Sequence, residues 1–214
     1  MSSFYNRIKV FFGVEEKEIN PILSIFLDKK CVFFHIPKTA GISISNSLFG
    51  DVKWGHRSVN FYKSHYGEKV FNSLYKFCFV RNPYDRLFSA YTFLKEGGIN
   101  NQDLEFSNSY LQEFASFNEF VLKGLEKEEI MNWVHFKPQY TFVCDENDNI
   151  VMDFIGKMEN LNADFNTVCK HLNIESELQK LNMSSAKKNE FSEEVKAMIK
   201  LKYQKDFNLF YPHL

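Results

Sequence analysis

Two short, continuous apolar runs are the clearest structural signal in this chain. The runs at 31–35 (CVFFH) and 77–80 (FCFV) are rich in β-forming residues, and each ends at a turn that contains proline. Short runs of this kind are typical of strands that are buried on both faces of a sheet. The first leads through a turn at 36–41 into a predicted helix at 42–48. The second leads to Asn82, which can cap a helix that starts at Pro83 and runs to about Lys95.

The later pattern continues this alternation of strands and helices. Residues 150–155 can supply a third strand, and apolar residues at i, i+4, i+7, i+8 and i+11 from Leu161 predict one buried helix face. Ser192 is placed to cap a late helix, whereas the polar stretch 96–109 is expected to be a surface lid or loop. The order predicts an α/β fold: a single domain with a central, mainly parallel sheet flanked by helices. We expect one domain over 1–214, with an N-terminal extension at 1–28 and a core from about residue 30.

Composition and charge exclude several classes of function. Lysine and arginine number 26 against 27 aspartate and glutamate residues, so the net charge of −1 disfavours nonspecific nucleic-acid binding. The longest apolar stretches, 22–27 and 32–36, are far shorter than the about 20 residues of a membrane span. The N-terminus does not resemble a secretion signal, so we expect a cytoplasmic protein. The 4 cysteines form no CxxC pair, which predicts buried thiols and no metal site.

The residues with chemical potential follow the two predicted strands. Ligands of such sheets collect at the carboxyl ends of strands, near helix N-termini. The first motif, HIPKTAGIS at 35–43, offers backbone donors from Thr39 to Ser43, the Lys38 ammonium and two hydroxyls, which together suit a phosphate. It lacks the GxxxxGK[ST] spacing of a Walker A loop, and Pro37 stands where a glycine would precede the lysine. The second motif, FVRNPYDRLFSAY at 79–91, places Arg81 and Ser89 where they can meet a second anion.

This pair of motifs resembles the signature of the sulfotransferase superfamily, specifically the carbohydrate-type sulfotransferase family 2. Segments at 135–142, 153–160, 181–185 and 203–207 resemble later family segments in the same order, so the resemblance runs from about residue 30 to the C-terminus. It implies a P-loop-like sulfotransferase fold and the donor 3′-phosphoadenosine 5′-phosphosulfate (PAPS), which leaves as 3′-phosphoadenosine 5′-phosphate (PAP). One departure is Ile42, which stands where the family often has threonine and removes one hydroxyl from the phosphate loop.

The resemblance also implies roles for individual residues. Lys38 would stabilise the departing 5′-phosphate, the loop residues Thr39, Ala40, Gly41, Ile42 and Ser43 would hold the phosphosulfate, and Arg81 and Ser89 would bind the 3′-phosphate. A late segment with Ser185, Lys187 and Lys188 would close over the nucleotide or form a charged surface loop. The family carries a catalytic histidine in a GH segment after the loop, which implies His56 as the base, against the alternative of an ordinary core or surface histidine.

The expected activity is sulfuryl transfer to a hydroxyl of a carbohydrate or polysaccharide precursor, with no metal requirement. Two alternatives remain open from the sequence. A P-loop kinase would use ATP and magnesium, with Lys38 and Thr39 at the γ-phosphate and Asp153 as the Walker B acid. A nucleotide-binding module without activity would keep the loops and lose turnover. Arg86 is expected to have a structural role.

Overall fold

The computed structural model describes residues 21–51, 55–178 and 190–214. Most of the predicted N-terminal extension and the residues Ser185, Lys187 and Lys188 lie outside this description. The described residues form two compact units. The first unit takes its residues from 1–36, 40–80 and 141–183, and the second from 37–39, 81–140 and 184–214.

Helices predominate in number over strands among the described residues. The strands are β1 (Cys31–Phe34), β2 (Tyr75–Val80) and β3 (Phe154–Lys157). The α-helices are, in chain order, α1 (Pro21–Asp28), α2 (Gly41–Phe49), α3 (Val59–Tyr66), α4 (Glu68–Ser73), α5 (Pro83–Lys95), α6 (Asn101–Phe106), α7 (Phe117–Lys123), α8 (Glu128–Met131), α9 (Tyr140–Val143), α10 (Leu161–Leu172), α11 (Glu193–Lys202) and α12 (Gln204–Phe210). A π-helical turn at Ser107–Leu111 and 3₁₀ turns at Gly124–Glu126 and Met158–Asn160 complete the set.

The sheet of the first unit is parallel and has the order β1-β2-β3. In the pairing of β1 with β2, Cys31 lies opposite Tyr75 and Phe34 opposite Cys78, so the residue numbers rise together along both strands; the pairing of β2 with β3 is parallel in the same way. Every residue of β1 is buried, as the continuous apolar run predicts. Helix α1 packs on β1 and α10 packs on β3. The predicted α/β class with a parallel sheet and flanking helices is therefore confirmed.

The third strand lies later in the chain than the sequence predicts. The expected range was 150–155, but β3 covers Phe154–Lys157. Asp145 accepts hydrogen bonds from the backbone N–H groups of Asn147 and Asn149, and this turn brings Ile150 into an isolated antiparallel bridge with Cys144. The first apolar residues of the run are therefore used by a local turn, and only the last residues reach the sheet.

The core of the first unit is aromatic and contains the four cysteines. The rings of Phe33 and Phe77 stack on neighbouring strands with centroids 5.1 Å apart. Helix α10 buries the predicted face with Leu161, Phe165, Val168 and Cys169. All four cysteines are buried and none forms a disulfide, and burial raises the pKa of Cys31 to about 12. They are packing residues, as their wide spacing in the sequence suggests.

The second unit confirms two predicted helices and corrects one predicted loop. Helix α5 covers Pro83–Lys95, and the Asn82 side chain caps it by accepting a hydrogen bond from the N–H of Tyr84. Ser192 likewise caps α11. The stretch 96–109, expected as a lid or loop, is helical from Asn101 onward. The cause is local, because the Asn100 side chain caps α6 at the N–H of Asp103. Its inner side, with Asp103, Phe106 and Ser107, is buried, while most of its other residues are exposed, so the stretch is a surface helix that packs on the core.

Among the helices of the described residues, none has both the length and the apolarity that a membrane crossing requires.

Candidate active site

The candidate phosphate loop begins where β1 ends, at the same edge of the sheet where β2 ends, because the two strands are parallel neighbours. Lys38 and Ala40 both have left-handed backbone conformations, with φ of 67° and 63°, while Thr39 between them does not. Alternation of this kind turns successive N–H groups toward one side and forms a concavity that suits an anion. A left-handed residue with a side chain costs about 1–2 kcal/mol, so this loop stores strain where a ligand is expected.

Gly41 begins helix α2 in the first unit and lies directly against His35. A Cβ added at Gly41 would lie 1.9 Å from Cδ2 of His35, a distance that no pair of nonbonded carbon atoms tolerates. Position 41 therefore excludes every side chain unless the histidine ring moves. Ala40 occupies the N-cap position of α2 and has no polar side chain to cap the helix. Ser43 is buried within the first turns of α2, whereas the side chain of Ile42, which carries no hydroxyl, is 54% exposed.

Lys38 belongs to the second unit, where aromatic and charged groups surround it. Its Nζ lies 3.9 Å from the centroid of the Phe93 ring, a cation–π contact. Burial, and next the positive charge of Arg81, lower the pKa of Lys38 to about 8, while the carboxylates of Glu96 and Asp103 oppose the shift. Thr39, the next residue, is buried. The ammonium is thus held in a partly desolvated position, where its charge acts strongly on a neighbouring anion.

Arg81 follows β2 directly and approaches the first loop within the second unit. Its Nη1 donates to the backbone carbonyl of Lys38 at 3.4 Å. The side-chain amide of Gln139 binds the backbone of Arg81 on both sides, through its N–H and its C=O. Ser89 lies half-buried on α5 of the same unit. The two motifs that the sequence singled out therefore meet at Lys38 and Arg81.

His56 belongs to the first unit and is oriented by His35. Its Nδ1 lies 2.8 Å from the carbonyl oxygen of His35, and the two rings are 4.4 Å apart. Because a carbonyl oxygen only accepts hydrogen bonds, Nδ1 must carry a proton in this contact. In the neutral ring the lone pair then belongs to Nε2, which is the tautomer that a general base at Nε2 needs.

Asp153 and Arg86 have structural roles. Asp153 accepts from the N–H of Lys76 at 2.7 Å and pairs with its Nζ at 2.9 Å. Lys76 lies near the start of β2, so Asp153 is at the edge of the sheet opposite the ends of β1 and β2. That placement does not fit a Walker B acid. Arg86 is fully buried and donates to the carbonyls of His135 and Lys137, in agreement with the structural role expected of it.

Three residues of the candidate site were not identified from the sequence: Phe93, Asp103 and Gln139. Phe93 lies ten residues after Pro83 on α5, where an aromatic residue gives no signal of contact with a distant lysine. Asp103 is buried beside His135, with Oδ1 and Nε2 3.3 Å apart. Gln139 is fully buried, a rare state for glutamine that sequence alone does not reveal. Within the described residues, no cluster of three or more histidine, cysteine, aspartate or glutamate side chains could hold a metal ion.

Comparison with known proteins gives a family and a relative. A model of the Sulfotransferase family matches residues 23–212. A protein of Archaeoglobus fulgidus, described as uncharacterized, is 32% identical to this chain over 115 residues, which are 52% of this chain and 78% of that protein. No solved structure matches the chain.

Proposed function

This chain belongs to the sulfotransferase family, and from that premise we propose that it transfers a sulfuryl group from PAPS to an acceptor hydroxyl. The cytoplasmic location and the extent of a single domain over 1–214 stay predictions from the sequence. The acceptor that we propose is a carbohydrate or a polysaccharide precursor, in line with the carbohydrate-type branch that the motifs resemble.

One observation carries the proposal: the structure brings two cationic side chains together in the second unit. Arg81 donates to the carbonyl of Lys38, and after burial its charge is the next cause that lowers the pKa of that lysine to about 8. Two like charges at close range repel each other, and both attract an anion placed between them. A ligand that carries several anionic groups, such as PAPS, would interact favourably with both side chains.

The donor fits the residues that the motifs supply. The left-handed residues Lys38 and Ala40 form a loop whose N–H groups suit the 5′-phosphosulfate, together with Thr39, Gly41, Ile42 and Ser43. Arg81 and Ser89 would bind the 3′-phosphate, Arg81 through paired charge-assisted hydrogen bonds. Ser185 and Lys188, which lie outside the described residues, would contribute to nucleotide binding from the late segment.

The transfer is an in-line displacement at sulfur. The acceptor oxygen forms a bond to sulfur while the bond from sulfur to the bridging oxygen of the 5′-phosphate breaks, and PAP leaves. Negative charge grows on that bridging oxygen, where the ammonium of Lys38 would stabilise it. His56 would take the proton of the acceptor hydroxyl at Nε2, since its Nδ1 is engaged with the carbonyl of His35.

A thermal-shift comparison of nucleotides tests the donor. The full chain is mixed with PAP, ATP, GTP or AMP, each with and without magnesium. A ligand at about 100 times its Kd stabilises the folded state by about 2.7 kcal/mol, which raises the melting temperature of a protein of this size by about 5–10 °C. We expect this shift with PAP alone and no effect of magnesium.

Preferential stabilisation by ATP with magnesium would replace the proposal with a P-loop kinase. Stabilisation by PAP without transfer from PAPS to any carbohydrate acceptor tested would favour the nucleotide-binding module. The second motif is tested separately by calorimetry, where Arg81→Ala should weaken PAP by about 10- to 100-fold, the value of paired charge-assisted bonds. Unchanged PAP affinity in this variant would remove Arg81 from the nucleotide site.

A further inference from the structure

The backbone of Arg81 is bound by a side chain that the proposed mechanism does not use. The last pair of β2 and β3 joins Val80 to Lys157, so Arg81 lies just beyond the paired part of the strand. Oε1 of Gln139 accepts from the N–H of Arg81 at 2.9 Å, and Nε2 of Gln139 donates to the carbonyl of Arg81 at 2.9 Å. The carboxamide thus makes both backbone hydrogen bonds that a neighbouring strand would make.

Gln139 is itself held from a distant part of the second unit. Asp206 accepts from the N–H of Gln139 at 2.8 Å and from the N–H of Tyr140 at 2.9 Å. Asp206 and Gln139 are both fully buried. Burial raises the pKa of Asp206, while the charge of Arg86, these backbone donors and the side chain of Gln139 oppose the shift. Gln139 is therefore held at its backbone N–H by Asp206 and at its carboxamide by the peptide of Arg81.

The orientation of the carboxamide is determined by the two bonds. A backbone N–H can only donate and a backbone carbonyl can only accept, so Oε1 must face the nitrogen of Arg81 and Nε2 its oxygen. A flipped amide would place its Nε2 donor against the N–H of Arg81 and its Oε1 acceptor against the carbonyl of Arg81. The same two bonds limit rotation of the Arg81 peptide, which is the base from which its guanidinium extends to the carbonyl of Lys38.

We propose that Gln139 is a positioning residue of the nucleotide site, which holds the Arg81 peptide so that its guanidinium is preorganised for the 3′-phosphate. This inference rests on the proposed function of Arg81. Without the carboxamide, Arg81 keeps its charge but samples other conformers. If its competent conformer falls to about a tenth of the population, the Kd for a 3′-phosphorylated nucleotide rises about tenfold.

A purely structural role for Gln139 makes a different prediction. A general loosening of the unit would weaken every nucleotide and would add to the effect of other substitutions. A residue that acts through Arg81 affects only ligands that Arg81 touches, and it has no further effect once the guanidinium is absent. Comparison of PAP with AMP, which lacks the 3′-phosphate, and a double-mutant cycle separate the two roles.

The experiment is calorimetric titration of PAP and AMP into four forms of the full chain: wild type, Gln139→Met, Arg81→Ala and the double variant. Methionine matches the length of glutamine and keeps the backbone N–H that Asp206 binds. Gln112→Met is the matched control, because Gln112 is an exposed glutamine of the same unit whose Nε2 donates to Ser107 at 3.1 Å. It should leave both affinities unchanged.

We expect Gln139→Met to raise the Kd of PAP about tenfold, to change that of AMP less than about twofold, and to add nothing in the Arg81→Ala background. Equal losses for PAP and AMP, or an additive loss in the double variant, would overturn the inference. If Arg81→Ala weakens PAP but Gln139→Met does not, only this inference fails. If Arg81→Ala leaves PAP unchanged, the proposed role of Arg81 fails instead. Should Gln139→Met not fold, Gln139→Asn takes its place in the same cycle, because it keeps a neutral amide and is one methylene too short to make both bonds to the Arg81 peptide.

Discussion

Raising the pH should discharge Lys38 and reduce sulfuryl transfer at a lower pH than for an ordinary lysine. Burial and, after it, Arg81 lower the pKa of Lys38 to about 8, against a usual value of 10.5, although Glu96 and Asp103 oppose this. The proposed mechanism needs the ammonium at the bridging oxygen of the donor. The profile of kcat/KM for PAPS reports the groups of the free enzyme, so its alkaline limb should have a midpoint near the pKa of Lys38.

The expected decrease in kcat/KM follows from the charged fraction of Lys38. With a pKa of about 8, about a tenth of the lysine remains protonated at pH 9, so kcat/KM should fall about tenfold between pH 7 and pH 9. A lysine with a pKa of 10.5 would lose almost no charge over this range, and the profile would be flat. The free energy of unfolding changes in the opposite direction and rises with pH. The unfolded chain binds more protons than the folded protein between pH 8 and 10.5, so this lysine contributes stability as the pH rises.

The assay measures initial rates of transfer at PAPS concentrations below KM, from pH 6.5 to 10, with melting temperatures recorded in the same buffers. Lys38→Arg provides the matched control, because guanidinium stays protonated throughout. The kcat/KM of the Lys38→Arg variant should not change between pH 8 and 9.5, whatever the absolute rate of this variant. A flat wild-type profile up to pH 10, or the same alkaline limb in Lys38→Arg, would refute the assignment of the limb to Lys38.

Three further substitutions test other contacts. His56→Ala should lower kcat by about 10²–10⁴, the usual effect of losing a general base, with PAP affinity unchanged by calorimetry; normal turnover would remove His56 from the mechanism. Gly41→Ala places a Cβ 1.9 Å from the His35 ring, so kcat and the melting temperature should both fall, and an unchanged melting curve would contradict the close packing. Arg86→Met leaves buried carbonyls without their donor and should cost about 3 kcal/mol in urea unfolding, against less than about 1 kcal/mol for the exposed Lys123→Met control. Equal costs would show that Arg86 is not structural.

The parts of the fold that the sequence predicts correctly are those with local causes. The strand β1 is a continuous apolar run, and the start of α5 is fixed by Asn82 and Pro83. The third strand was misplaced because Asp145 makes a turn through its own side chain and uses the start of the apolar run. The stretch 96–109 was misjudged because glycines and polar residues conceal a helix that Asn100 caps.

In the candidate site, too, the residues with local sequence signals are predicted and those held by distant contacts are not. Lys38 and Arg81 were predicted because each follows a strand that the sequence reveals, and parallel strands end at one edge. Gln139 was missed because its partner is 58 residues away, and Asp206, which holds it, is a further 67 residues along. No local pattern encodes contacts at such separations. The sequence nevertheless contains a signal, because the segment at 135–142, which includes Gln139, resembles the family.

The side chains around Lys38 carry charges of both signs. Arg81 makes the ammonium less stable, and the carboxylates of Glu96 and Asp103 make it more stable. Carboxylates close enough to cancel the effect of Arg81 would also repel an anionic donor, whereas without Glu96 and Asp103 the pKa would lie below its value of about 8. The lysine keeps its charge near neutral pH in a partly desolvated position, where its attraction for a bound polyanion is strong. The contribution of Arg81 to this balance depends on its distance from Lys38, and the buried carboxamide of Gln139 binds the arginine peptide on both sides, as the proposed positioning role requires.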